Sequence, residues 1–203
     1  MDRDKVLKAF ENKGYRTHYF KTGKEAADYL CATIKGCTIG FGGSDTLESL
    51  DLINRLAESN TCFCPEQKYR PKEKTFNEAA LDTLRTDVFM LSVNGASEDG
   101  TLVNIDGTGN RVGSSLFGHK KVVFVFSENK IMPTEDAAIE RARNIASPRN
   151  AKHLECKTPC AVEGDRCFDC KSPDRICNAL VLYMHAMEGC EMEVVILGEE
   201  LGF

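Results

Sequence analysis

The order of apolar segments predicts an α/β fold: a mostly parallel sheet with helices on both faces. Three observations carry this. Compact β-branched or aromatic runs recur as "DVFMLSV" (87–93), "KKVVFVF" (120–126) and "EMEVVIL" (191–197), short enough and apolar enough for buried strands. Segments of helical period separate such runs, and repeated strand–helix alternation builds parallel sheets covered on both sides. The length of 203 residues suits one domain, 1–203, with enough core that it needs no disulfide staples.

The elements follow in order. "RDKVLKAFENKG" puts Val6, Leu7 and Phe10 on one face and ends at Gly14. "YRTHYF" reads as extended, and "KEAADYLCATI" as a helix with Ala26, Tyr29, Leu30 and Ile34 at helical spacing. "CTIGFGG" is a strand running into glycines. "SDTLESLDLINRLAE" follows as one helix, with Asp45 and Glu48 as its capping box and Leu47, Leu50, Ile53 and Leu56 inward. A polar loop around Pro65 and Pro71 leads to the helix "FNEAALDTL" and then to strand 87–93. "GTLVNI" (100–105) and 120–126 are further strands. "PTEDAAIERARNIA" is a helix with acids in its first turn, stopped by Pro148. A small cysteine-rich segment, 156–178, follows as an insertion. "PDRICNALVLYMHAM" (173–187) reads as a helix opened by Pro173, and 191–197 as the last strand.

Composition removes several function classes. The formal charge is −5 with no basic run, which argues against nucleic acid. The first residues are charged and amphipathic, and no apolar run reaches spanning length. A cytoplasmic protein without membrane association is therefore expected. Homo-oligomerisation is left open.

Two glycine-rich stretches are candidate binding loops. In "TIGFGGSDTLESL", Gly42, Gly43 and Ser44 lie between a strand and a helix start, where free N–H groups attract anions. No Lys follows as in a P-loop, and the dinucleotide spacing is missing; a plain tight turn is the competing reading. The second stretch, "NGASEDGTLVNIDGTGNRVGSS", offers Asn94, Gly107, Gly109, Asn110 and Arg111. A hairpin accounts for "SEDG", but not for Asn110-Arg111 at the next helix start. Both loops are expected beyond the carboxyl ends of parallel strands, where ligands of open sheets collect. Arg111 suits a carboxylate or phosphate as a two-pronged donor, and Glu98 or Asp99 is the candidate general base.

Four cysteines follow the spacing C-x6-C-x2-C-x6-C: Cys160, Cys167, Cys170 and Cys177. The central C-x2-C pair lets two sulfurs reach one metal centre. Four thiolates suit tetrahedral zinc or an iron–sulfur cluster, and a reversible disulfide or unligated thiols are the alternative. His153 is a substitute ligand and Cys156 a spare. Cys31, Cys37 and Cys190 read as small buried hydrophobes; His18, His119 and His185 read as structural or exposed.

Taken together, "GFGGSDTLESL", "DVFMLSVNGASEDGTLVNIDGTGNRV", "KKVVFVFSENKI" and "ARNIASPRNAKHL" resemble the LUD (lactate-utilisation) domain family from about residue 3 to 200. That family is similar in fold to the ribose-phosphate isomerase and CoA-transferase superfamily. Sugar-phosphate isomerases there carry a Gly-Ala-Asp element; this chain has Gly95-Ala96-Ser97, with acids displaced to Glu98 and Asp99. The resemblance implies a part in oxidising lactate or a related small organic acid, beside iron–sulfur partner proteins. It makes Lys130, in "ENKI", a family-typical candidate for ligand contact. Together with the asymmetric cysteine spacing it favours an iron–sulfur cluster over zinc. A metabolite- or redox-sensing module and a sugar-phosphate isomerase-like enzyme are the competing functions.

Overall fold

Six parallel strands form the main sheet, in the order β1 (Arg16–Phe20), β10 (Glu191–Leu197), β7 (Lys121–Ser127), β4 (Val88–Leu91), β2 (Thr38–Phe41) and β3 (Thr61–Phe63). This computed structural model describes residues 1–164 and 166–203. The apolar runs are continuous because both faces of the sheet are covered. In β7, Val123 and Val125 enter one core while Val122, Phe124 and Phe126 enter the other.

The first core is closed by α2 (Gly23–Thr33), α3 (Asp45–Ser49) and α4 (Leu52–Ala57), which contribute Leu30, Leu47, Leu52 and Leu56. A capping box between Thr22 and Glu25 starts α2, and another between Thr75 and Glu78 starts α5 (Phe76–Thr83). The expected single helix over 44–58 is two. The chain breaks at Leu50–Asp51, where Asp51 has φ +50°, so Leu50 still points inward while the axis changes direction. Its cap is Ser44, whose hydroxyl accepts from Leu47 N at 3.3 Å, and not Asp45.

The second core is closed by α1 (Arg3–Asn12) and by an element the sequence reading lacked, a second sheet. Its order is β8 (Ile131–Met132), β5 (Gly95–Ser97), β6 (Leu102–Asp106) and β9 (Ala179–Tyr183). β5 and β6 form the antiparallel hairpin expected around "SEDG", and β9 pairs antiparallel with β6. The supposed helix over 173–187 is therefore wrong in its centre. Alternate residues of β9 serve different layers: Tyr183 meets Phe124 edge-on at 5.2 Å, while Leu182 packs with Val103 and Ile105. On that outer side lies α7 (Glu135–Arg141), with Ala138 and Ala142 packed on the small sheet.

Pro148 does not stop the helix. A π turn over Ala142–Ala146 follows α7 and leads directly into α8 (Ser147–His153), with Pro148 in its first turn. There proline donates no N–H to the preceding turn, and the wider spacing of the π turn leaves room for its ring. Two short helices complete the chain: α6 (Asn110–Leu116), and α9 (Pro159–Glu163), capped by Thr158. Among the described residues no helix is long and apolar enough to cross a membrane.

Candidate functional site

At the carboxyl ends of the parallel strands the chain leaves a cleft of about 440 Å³. Five of the six strands deliver part of the wall. Gly43 and Ser44 follow β2, Glu66 follows β3, Ser92 to Asn94 follow β4, and Lys130 follows β7. Phe203 reaches it from the segment after β10, and the β6–α6 loop adds Asp106, Gly107, Asn110 and Arg111.

The loops are held by their own hydrogen bonds. Asp106 accepts from Thr108 N (3.0 Å), Gly109 N (2.9 Å) and Val112 N (3.2 Å), and so organises the β6–α6 turn. Arg111 donates to Ile105 O at 2.7 Å, and its Nε lies 3.6 Å from Asp106. Its stem crosses Gly42, where a Cβ would come within 2.9 Å of Arg111 Cγ. Glycine there is a matter of space, since a side chain would displace the arginine. Gly43 has the same relation to the Glu66 carboxylate.

Lys130 forms the floor. It is 4% exposed, and its Nζ donates to Thr46 Oγ1 (3.2 Å), Ser92 Oγ (3.3 Å) and Val93 O (3.3 Å). Burial, reinforced by the Arg141 and Arg111 guanidiniums and opposed by Asp45, pulls its amine down to about 7. Arg141, also buried, donates to Asn94 O at 2.6 Å from behind the wall. Burial pushes the Glu66 carboxyl up, against the pull of Arg111.

Of the expected binding residues, Gly43, Ser44, Asn94, Gly107, Asn110, Arg111 and Lys130 line this one cleft; Gly42 lies under the Arg111 stem, and Gly109 is outside the lining. The second loop reaches it from β6, a member of the small sheet and not a parallel strand as expected. Asn94 is committed inward, its Oδ1 accepting from Ile105 N at 2.8 Å. Glu98 and Asp99 lie outside the cleft, in the β5–β6 turn; Asp99 is held by Ser97 and faces Lys13 at 3.9 Å, which leaves the general-base expectation without a cleft at that position. Glu66, Thr46, Ser92 and Arg141 are functional neighbours that the motifs do not mark: Ser92 and Glu66 follow strands, Thr46 lies within α3, and Arg141 ends α7.

A second cavity, about 260 Å³, is walled in part by Cys160, Cys167, Cys170 and Cys177, with Arg143 and Arg175. Asp165, inside this segment, lies outside the described residues. Cys160 sits in the first turn of α9, and Cys167 N donates to Asn144 Oδ1 at 3.0 Å. Arg175 ties the remainder together: it donates to Cys170 O (2.8 Å), Cys177 O (2.9 Å) and Cys177 Sγ (3.3 Å). Asp169 N donates to Cys167 Sγ at 3.3 Å. Cys177 is not in a helix; it precedes β9. His153 belongs to the other site: it lines the cleft, 3.8 Å from Asp45 and against Phe203. Among the described residues, no three His, Cys, Asp or Glu side chains stand close enough to share one metal ion. None of the cysteines is in a disulfide.

The two sites adjoin. Ile105, Ser147 and Ile176 line both. Asn178 fixes the cysteine segment to the β6–α6 loop through Asn178 N to Asp106 O (2.9 Å) and Asn178 Nδ2 to Gly107 O (2.9 Å). At Gly107 a Cβ would sit 3.0 Å from the Ile176 backbone.

Comparison with known proteins agrees with this architecture. No functionally curated protein matches the sequence. A crystal structure of a DUF162 family protein from Deinococcus radiodurans is similar over 98% of this chain and 99% of its own, at 14% identity and a TM-score of 0.53. A ribose 5-phosphate isomerase A from Neisseria gonorrhoeae aligns over 56% of this chain and 54% of its own, at 15% identity and a TM-score of 0.37. The LUD domain model matches residues 3–197, and the chain belongs to that family.

Proposed function

We propose that this LUD domain protein is a redox subunit or enzyme of organic-acid oxidation. The cleft binds a small carboxylate such as lactate, and the four cysteines hold an iron–sulfur cluster. The observation that carries the reading is the shared wall: Ile105, Ser147 and Ile176 separate the two sites by a single layer of residues. A bound cluster would supply one-electron chemistry. The chain's own residues bind and orient the acid and set the surroundings of the sulfurs.

The cysteine cavity supports a cluster over zinc. Zinc–thiolate bonds are about 2.3 Å, so four sulfurs around one ion leave no room between them. Here the four cysteines share the wall of a cavity of about 260 Å³ with eleven other residues, and among the described residues no three metal-binding side chains stand within reach of one ion. The Asp169 N–H on Cys167 Sγ and the Arg175 guanidinium on Cys177 Sγ suit a cluster whose sulfurs carry negative charge. Proteins that deliver or remove electrons, themselves of iron–sulfur type, are the partners this reading requires.

In the cleft, Arg111 is the counter-charge for the carboxylate, held over Gly42 and steadied by Ile105 O and Asp106. Arg111→Ala should weaken lactate binding by about 1.5–3 kcal/mol, the range for hydrogen bonds to a charged group. Calorimetric titration of lactate into both proteins checks this, and unchanged affinity removes Arg111 from the site. The functional reading is tested by adding lactate to the anaerobically isolated protein. A shift in the visible spectrum or reduction potential, lost in Arg111→Ala, is expected. A spectrum indifferent to saturating lactate contradicts it.

A further inference from the structure

Lys130 is unusual among the lysines of this chain. It is buried at the floor of a cleft large enough for a ligand, yet no carboxylate lies within ion-pair distance of it among the described residues. Its hydrogen-bond partners are two hydroxyls and one carbonyl, all neutral. The charges acting on it are the guanidiniums of Arg141 and Arg111 against the single carboxylate of Asp45. A cation so placed costs desolvation energy that three neutral hydrogen-bond partners and the single Asp45 carboxylate offset only in part, and this favours the neutral amine. A neutral amine in a cleft beside an arginine is a nucleophile placed next to a carboxylate-binding group.

We infer that Lys130 forms an imine with the carbonyl of a 2-oxo acid held in the cleft. The inference rests on the reading of the cleft as a carboxylate site. A 2-oxo acid is the chemical product of oxidising a 2-hydroxy acid, so the same carboxylate contact serves both. In the step, the Nζ lone pair attacks the keto carbon and a C–N bond forms, giving a carbinolamine. The carbonyl oxygen then leaves as water, taking with it the two amine hydrogens, and the C=N bond remains. No oxidant or reductant is consumed.

The surroundings support both stages. Thr46 Oγ1 donates to Leu201 O (3.2 Å), and Ser92 Oγ donates to Thr46 Oγ1 (3.4 Å), so both hydroxyls are fixed with their oxygens toward the amine. The segment after β10 closes over the group: a Cβ on Gly202 would lie 3.4 Å from Lys130 Nζ, and Phe203 lines the cleft above it. That cover limits water, which would hydrolyse the imine. Burial therefore leaves Lys130 a much larger neutral fraction near neutral pH than an ordinary solvated lysine has.

The test is reductive trapping on the intact protein. Pyruvate with cyanoborohydride at pH 7 should add one ligand per chain, and peptide mapping should place it on Lys130. Lactate, which has no carbonyl, should add nothing, and Lys130→Met should lose the adduct while keeping the wild-type circular dichroism. Lys130→Arg provides a second folded control that cannot form the imine. Calorimetric titration with pyruvate is run beside the trapping. If pyruvate binds but labelling is absent or scattered over surface lysines, the imine is overturned and the carboxylate cleft stands. If pyruvate neither binds nor labels, the imine and the cleft reading fall together.

Discussion

Cys170→Ser is expected to abolish stable incorporation of iron while leaving the six-stranded sheet folded. A serine hydroxyl is harder and far less acidic than a thiol, so it replaces one of four soft ligands with a poor one. The fold does not depend on Cys170. The residue is half-buried and belongs to none of the three hydrophobic clusters, and Arg175 holds its backbone carbonyl whatever the side chain. Metal-free protein should therefore unfold within about 0.5 kcal/mol of the metal-free parent, as surface substitutions do. Metal-loaded parent should be more stable than either, because a ligand bound only to the folded state adds its binding free energy. Denaturant titrations of the three species, with iron determined on each, give the comparison. Undiminished iron in Cys170→Ser would take that residue out of the ligand set.

Lys130→Met should change how stability depends on pH, with the second largest effect. In the unfolded chain the amine ionises at the ordinary lysine value of 10.5; in the folded protein burial brings it to about 7. Between those values the unfolded chain binds more protons. Stability therefore rises as pH rises from 7 towards 10.5, and the deficit is complete below 7. The slope approaches about 1.4 kcal/mol per pH unit, and the full deficit is on the order of 3–5 kcal/mol. Cys64, pushed up to about 12 by burial, acts in the opposite sense above pH 9 in both proteins, so the difference between them isolates Lys130. Methionine leaves Ser92 Oγ and Val93 O without the donor that Lys130 supplied, while Thr46 Oγ1 keeps Ser92 as its donor; the loss offsets part of the gain by about 1–3 kcal/mol. The signature is thus the slope, not the level. Urea midpoints from pH 6.5 to 9 should converge or cross as pH rises, and parallel curves would mean that Lys130 keeps its proton in the fold.

How far the sequence carries can be judged from particular segments. "KKVVFVF" was legible because a strand covered on both faces must be apolar through its middle, and β7 is so from Val122 to Phe126. "ALVLY" was not, because it contains Ala179, Leu180 and Leu182 and runs on into Met184, all good helix formers, and only pairing with β6 makes it a strand. Pro148 misled for a local reason: a proline ends an α-helix, but a π turn just before it removes the conflict. The glycine loops were legible since Gly42 and Gly43 mark close approaches, by Arg111 and Glu66 respectively. Glu66 itself was invisible. It enters the cleft only because β3 is the edge strand beside β2, and edge order is a property of the folded sheet. The four cysteines announced themselves by spacing, whereas Arg175 stood among them as one more charged residue of a loop.

The most direct test of the account is the iron and acid-labile sulfide content of protein isolated without oxygen, measured together with its visible spectrum. The account predicts iron and sulfide in comparable amounts and a broad charge-transfer absorption, lost on exposure to air and absent from Cys170→Ser. Zinc in place of iron, or a colourless protein without metal under strictly anaerobic conditions, would contradict it.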